Sequence, residues 1–71
     1  MIYYTHHAKD RMQERGITEE EVEHCLNNYH TYYTDKKGNP IYRANLPNGK
    51  YIKVVVKANS ADSIVVITVA D

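Results

Sequence analysis

The chain has 71 residues, room for one hydrophobic core and no second, so residues 1–71 are read as a single domain. Nine Lys and Arg balance nine Asp and Glu, which removes any global electrostatic drive toward nucleic acid or membranes and leaves only a local site for either. An apolar content of 42% is globular rather than disordered, no apolar run reaches the roughly 20 residues of a membrane span, and one cysteine excludes an internal disulfide, so a soluble cytoplasmic protein held by packing alone is expected.

Ile2, Tyr3 and Tyr4 form a short β-prone run, after which Thr5 offers an N-cap oxygen to a helix over His6–Arg15. Gly16 supplies the left-handed residue on which that helix ends. Thr18 with Glu21 three residues later is a capping box, Glu19–Glu21 suit the positive end of a helix dipole, and Ile17 sits at the staple position. Val22, Cys25, Leu26 and Tyr29 then give the second helix one apolar stripe to lay on a sheet, and Asn27 and Asn28 end it.

From Thr31 to Thr34 the residues are β-branched or aromatic, and the turn formers Lys36 to Pro40 follow. Ile41–Leu46 and Lys50–Ala58 flank an Asn48-Gly49 pair, the strongest short-range signal for a hairpin. Along the second arm Ile52, Val54, Val56 and Ala58 should face the core, while Lys53 and Lys57 line the other side. Asn59–Asp62 is a turn, and Ser63–Ala70 is so continuously apolar that a strand covered on both faces is expected. The fold class is therefore α+β: a short N-terminal strand and two helices packed on an antiparallel sheet of four to five strands, in the order β-α-α-β-β-β-β.

Charge divides along the chain. Residues 1–28 hold three basic and six acidic groups, net −3, and residues 29–71 six basic and three acidic, net +3, which leaves a lysine-lined sheet face able to meet phosphate. Lys36, Lys37, Arg43, Lys53 and Tyr51 are the candidate nucleic-acid contacts, and two readings stand for Tyr32, Tyr33, Tyr42 and Tyr51: some are exposed beside the cations and stack bases, or the rings fill the edge of a small core with the hydroxyl in water. On the first helix His7, Arg11 and Arg15 recur at four-residue steps, and two readings stand: an anion site with an imidazole for proton transfer, or ion pairs to Glu19–Glu23 of the second helix. Thr68 is the polar member of an apolar strand, bonding a neighbouring strand or pointing into a site. No metal site is expected, because the adjacent His6 and His7 point about 100° apart on a helix. No cofactor motif is present, and Cys25 on the apolar stripe reads as an unreactive core thiol.

The string His7-Ala8-x-x-Arg11-Met12-x-x-Arg15-Gly16-Ile17-Thr18-x-x-x-Val22 resembles the opening signature of a family of small bacterial and phage proteins, the domain-of-unknown-function family numbered 4258. The resemblance is close over residues 1–28 and looser over a hairpin-rich remainder with a Val-Ile-Thr-Val strand. That family is similar to the RelE-like and barnase/colicin-like toxin ribonucleases, built from a short strand, two helices and an antiparallel sheet. The resemblance implies a toxin-like endoribonuclease that cleaves RNA without a metal, the ribose 2′-hydroxyl attacking the adjacent phosphate. His7 would then be the acid or base, Arg11 and Arg15 the phosphate clamp, and Thr68 a polar contributor. RelE-type toxins are generally strongly basic, whereas this chain is neutral. Two further functions stand beside cleavage: a small interaction module, binding a protein partner such as an antitoxin or a second copy as a homodimer, and RNA binding without cleavage.

Overall fold

The computed structural model describes residues 1–58 and 62–71. Strand β1 spans Ile2–Tyr4, helix α1 His6–Arg15, helix α2 Glu19–Asn27, and strands β2 to β5 span Thr31–Thr34, Pro40–Asn45, Tyr51–Val56 and Ile64–Ala70. The expected turn over Asn59–Asp62 lies, but for Asp62, outside the described residues.

Local chemistry sets the helix ends. Thr5 stays extended, its Oγ1 accepting from the Ala8 N–H at 3.1 Å and donating to the Ile67 carbonyl at 3.0 Å, so one hydroxyl caps α1 and ties it to β5. Gly16 closes α1 at φ 65°, a conformation that favours glycine. At α2 both halves of the capping box form, Glu21 N–H to Thr18 Oγ1 at 3.1 Å and Thr18 N–H to Glu21 Oε1 at 3.0 Å. Glu21 also receives the Asn48 amide at 2.8 Å, and Lys50 Nζ reaches both Glu21 (3.4 Å) and the Gly16 carbonyl (2.7 Å), which pins the β3–β4 turn to the junction between the helices. That turn takes the three residues Pro47, Asn48 and Gly49 between the expected strands. The Gly49 N–H returns to Leu46 O at 2.9 Å and the Leu46 N–H to Lys50 O at 2.7 Å, with Gly49 at φ 90°. Proline fixes a negative φ, so Pro47 suits the first corner of an ordinary turn that a left-handed Gly49 then closes.

The sheet order is β1-β5-β4-β3-β2. Strands β2 to β5 form the expected antiparallel meander, but β1 joins β5 in parallel, Ile2 opposite Ile64 and Tyr4 opposite Val66, so the sheet is mixed. The meander turns fix the directions of β2 to β5, whereas β1 meets its partner across the two helices and no turn constrains it. Helix α1 lies over β5 and β1, and α2 over β3 and β4, both on one face. Between them and the sheet are Ala8, Met12, Ile17, Val22, Cys25, Ala44, Leu46, Ile52, Val54, Val56, Val66 and Val69, all buried. Tyr29 departs from the expected stripe: it lies beyond α2, is exposed, and joins Tyr32 and Tyr42 in an aromatic cluster with centroids 5.0 to 6.1 Å apart.

Strand β5 is not covered on both faces. Val55 pairs with Thr68 while Val56 pairs with Val66, which leaves Ile67 as an extra residue in a β-bulge. The bulge lets Val66 and Val69, three apart, both enter the core. Its apolar continuity thus serves a register shift and an open face, not a second helical layer.

Candidate nucleic-acid interface

Strand parity decides what the face without helices carries. Ala44, Ile52 and Val54 point into the core, so their neighbours Arg43, Asn45, Tyr51, Lys53 and Val55 point away from it, with Ile41 opposite Val55 and Thr68 on the next strand. Across the sheet this gives one row of Tyr33, Ile41, Val55 and Thr68, and a second of Thr31, Arg43 and Lys53. Ile41 and Val55 are each only 7% exposed although no helix covers them, because they floor a shallow groove of about 500 Å³ walled by Asp35, Lys36, Lys37, Asn39, Lys53, Ile67 and Thr68.

The loop that places Lys36 and Lys37 on the rim is built around Asp35. Its Oδ1 accepts from the Lys37 and Asn39 N–H groups, each at 2.9 Å, and its Oδ2 from the Asn39 amide at 3.2 Å, while Gly38 at φ 85° donates to the Asp35 carbonyl at 3.0 Å. These bonds, the Asn39 N–H foremost, together hold the Asp35 carboxyl below its ordinary value although desolvation opposes them. Asn39 Oδ1 takes the Ala58 N–H at 3.0 Å, which anchors the loop to the far end of β4. The one carboxylate on the groove is thus engaged by the loop's own donors, and both lysine side chains are left exposed.

Beside the groove is a cluster of rings and cations. The Arg43 guanidinium lies 4.7 Å from the centroid of Tyr51 and its Nη1 donates to the Tyr33 hydroxyl at 3.5 Å. His30 stacks on Tyr51 with centroids 5.6 Å apart and planes at 24°. Its Nδ1 is 3.0 Å from Thr31 Oγ1 and its Nε2 is 3.4 Å from the Asn45 amide nitrogen. Five cations, Lys36, Lys37, Arg43, Lys53 and, at the next outward position, Lys57, meet the one carboxylate of Asp35 here. The acidic residues of α1 and α2 lie on the other side of the sheet, so the neutral chain is electrically two-sided.

All five residues expected to contact nucleic acid, Lys36, Lys37, Arg43, Tyr51 and Lys53, share this face, and Thr68 joins them. His7, Arg11 and Arg15 do not, because α1 packs on the opposite side. Four residues turn a helix by about 400°, so each step of the stripe drifts by about 40°. His7 is exposed, Arg11 is half-buried with Nε enclosed and lacking a hydrogen-bond partner, and Arg15 places Nη1 3.6 Å from Asp71. The ion pairs weighed between this stripe and Glu19–Glu23 are not among those of the described residues. Tyr33, expected among the exposed tyrosines, does lie on this face, whereas His30 and Asn45 are the residues of it that sequence reasoning missed. Their signal was parity relative to Arg43 and Lys53, visible only once the strands are paired.

Cys25 behaves as expected. It is fully buried, its Sγ lies 3.6 Å from the Tyr42 carbonyl, and burial pushes its thiol up to about 11. Among the described residues no group of three or more His, Cys, Asp or Glu could hold a metal ion, and no helix is long and apolar enough to cross a membrane.

A family model described as "Domain of unknown function (DUF4258)" matches residues 4–71. No curated protein and no solved structure matches the chain.

Proposed function

Because the chain belongs to the DUF4258 family, and because its opening motif resembles that of proteins akin to RelE-like and barnase/colicin-like toxins, we propose that it is a toxin-like endoribonuclease whose open sheet face binds single-stranded RNA. Cleavage would follow the metal-independent course that the resemblance implies, the 2′-hydroxyl attacking the adjacent phosphate. One observation carries the reading: a helix-free face bears five cations against a single engaged carboxylate, with Tyr33, Tyr51 and His30 set among them. Lysines along a shallow groove can follow a phosphate backbone, and rings beside them can stack unpaired bases. A duplex would be read through its shape over two successive minor grooves, a longer span than this small sheet offers, so splayed single strands suit it better. The relevant experiment measures binding of a labelled single-stranded RNA and its fragmentation in the same samples. Fragments bearing 5′-hydroxyl ends support the proposal, binding without fragments leaves an RNA-binding protein, and no binding at low salt removes both.

A second function has an observation of its own. Edge strand β2, Thr-Tyr-Tyr-Thr, has no charge or proline to protect its open edge, and its exposed Tyr32 lies beside the exposed Tyr29. Such an edge can accept a strand from an antitoxin-like protein or a second copy. A mass that rises with concentration and falls on Tyr32→Lys would support self-association.

A further inference from the structure

Transesterification of RNA needs a group that takes the 2′-hydroxyl proton beside cations that hold the phosphate, and an imidazole meets that need near neutral pH. Of the four histidines, His6 and His7 lie on α1 and His24 on α2, all on the helical side of the sheet. His30, directly before β2, is the histidine placed on the basic face.

Its surroundings suit proton transfer. With the amide nitrogen of Asn45 directed at Nε2, that nitrogen carries the lone pair, so Nδ1 carries the proton and donates to Thr31 Oγ1. The contact from Asn45 to the single Nε2 lone pair is long at 3.4 Å, so an incoming 2′-hydroxyl can displace it, and the ring is exposed. Tyr51 fixes the imidazole plane from β4, and Arg43 on β3 sits over the same tyrosine. The charged and titratable groups around His30 are Arg43, Lys53, Tyr33 and Tyr51, and among the described residues no carboxylate pairs with it.

Resting on the reading of this face as an RNA-cleaving surface, we propose that His30 is the general base of the reaction, with single-stranded RNA as the substrate and Arg43 and Lys53 as the phosphate-holding cations. His30 Nε2 removes the proton of the 2′-hydroxyl and the 2′-oxygen forms a bond to phosphorus. The bond from phosphorus to the 5′-oxygen breaks, and that oxygen leaves with a proton from water. The products are a 2′,3′-cyclic phosphate and a 5′-hydroxyl, and the imidazolium returns its proton to solvent. Arg43 and Lys53 offset the charge that builds on the phosphorane oxygens.

The test uses the full chain with an end-labelled single-stranded RNA of mixed sequence and its all-deoxy counterpart. Wild type should cleave the RNA to a cyclic phosphate and spare the DNA. His30→Ala and His30→Gln should each lower the cleavage rate by about 10² to 10⁴, far more than they weaken RNA binding, while leaving the melting temperature nearly unchanged. Added imidazole should restore part of the rate of His30→Ala, and the fall of rate on the acid side of the wild-type pH profile should vanish in both variants. Cleavage by either variant within threefold of wild type, or loss of cleavage in His7→Ala alone, overturns the assignment. RNA bound by wild type but left intact overturns it too while sparing RNA binding, whereas absence of binding removes the underlying reading first.

Discussion

Replacing Lys36 and Lys37 together by alanine should flatten the salt dependence of RNA binding without unfolding the protein. A protein that neutralises Z phosphates on a single strand loses affinity with salt at a logarithmic slope of about −0.7 Z. If Lys36, Lys37, Arg43, Lys53 and Lys57 each meet one phosphate, the slope is about −3.5, and a fourfold rise in salt weakens binding about 130-fold. With two lysines gone the slope falls to about −2.1 and the same rise costs about 18-fold. Stability should hold, since both side chains are exposed and the loop is tied by the Asp35 carboxylate, the Asn39 side chain and backbone groups that alanine keeps. Fluorescence anisotropy of a labelled single-stranded RNA across that salt range measures both slopes. Lys50→Ala is the matched comparison. That ammonium engages Gly16 and Glu21 on the helical side, so its loss should lower the melting temperature and leave the slope alone. A wild-type slope shallower than about −1, or no difference between wild type and the double variant, would refute the assignment of this face.

Ile52→Ala, at a fully buried position, should cost about 2 to 5 kcal/mol, a large part of the total for a domain of this size. Val55→Ala, on the open face, should cost clearly less, and similar urea midpoints for the two would contradict a one-layer core. Native Cys25 should resist a thiol reagent, and because its thiol is raised from 9.0 to about 11, the stability that this burial confers is complete below pH 9 and fades as pH climbs toward 11. Rapid native labelling at pH 8 would show that the burial is wrong. Glu21 and Asp35 are both held below their ordinary values, Glu21 chiefly by the Thr18 N–H and Asp35 by that of Asn39. Their stabilisation is therefore present above the unfolded values of 4.5 and 3.8 and lost as pH falls through the lower folded ones. Urea midpoints unchanged between pH 6 and pH 3 would argue against it. Thr18→Ala, which opens the capping box, should cost about 1 kcal/mol by the same assay, and a variant as stable as wild type would dismiss the cap.

The elements whose causes lie within a few residues were legible. Thr5, Gly16 and the Thr18–Glu21 box act through bonds that span three or four positions, and the Asn48-Gly49 turn joins adjacent strands. The basic face was legible as well, because alternation along Tyr51–Lys57 separates core valines from outward lysines without knowledge of the partner strand. Contacts between distant segments were not. The parallel pairing of β1 depends on where two helices deliver the chain, and the bulge at Ile67 on matching β5 to β4 rather than on any residue type. For the stripe on α1, spacing alone placed three groups on one line, while packing turned that line to the side of the molecule away from Thr68.

By itself, then, the sequence determined the α+β class, the helix ends, the meander and the sign of the charge on each half, all consequences of local hydrogen bonding and two short periodicities. Only the tertiary structure decided that Lys36, Lys37, Lys53, Thr68, Arg43, Tyr51 and His30 share one open face and that His7, Arg11 and Arg15 lie across the sheet from it. The physical reason is that a residue's face follows from local geometry, but which faces meet follows from burying the valines of β4 and β5 beneath both helices, a condition no stretch of chain satisfies alone.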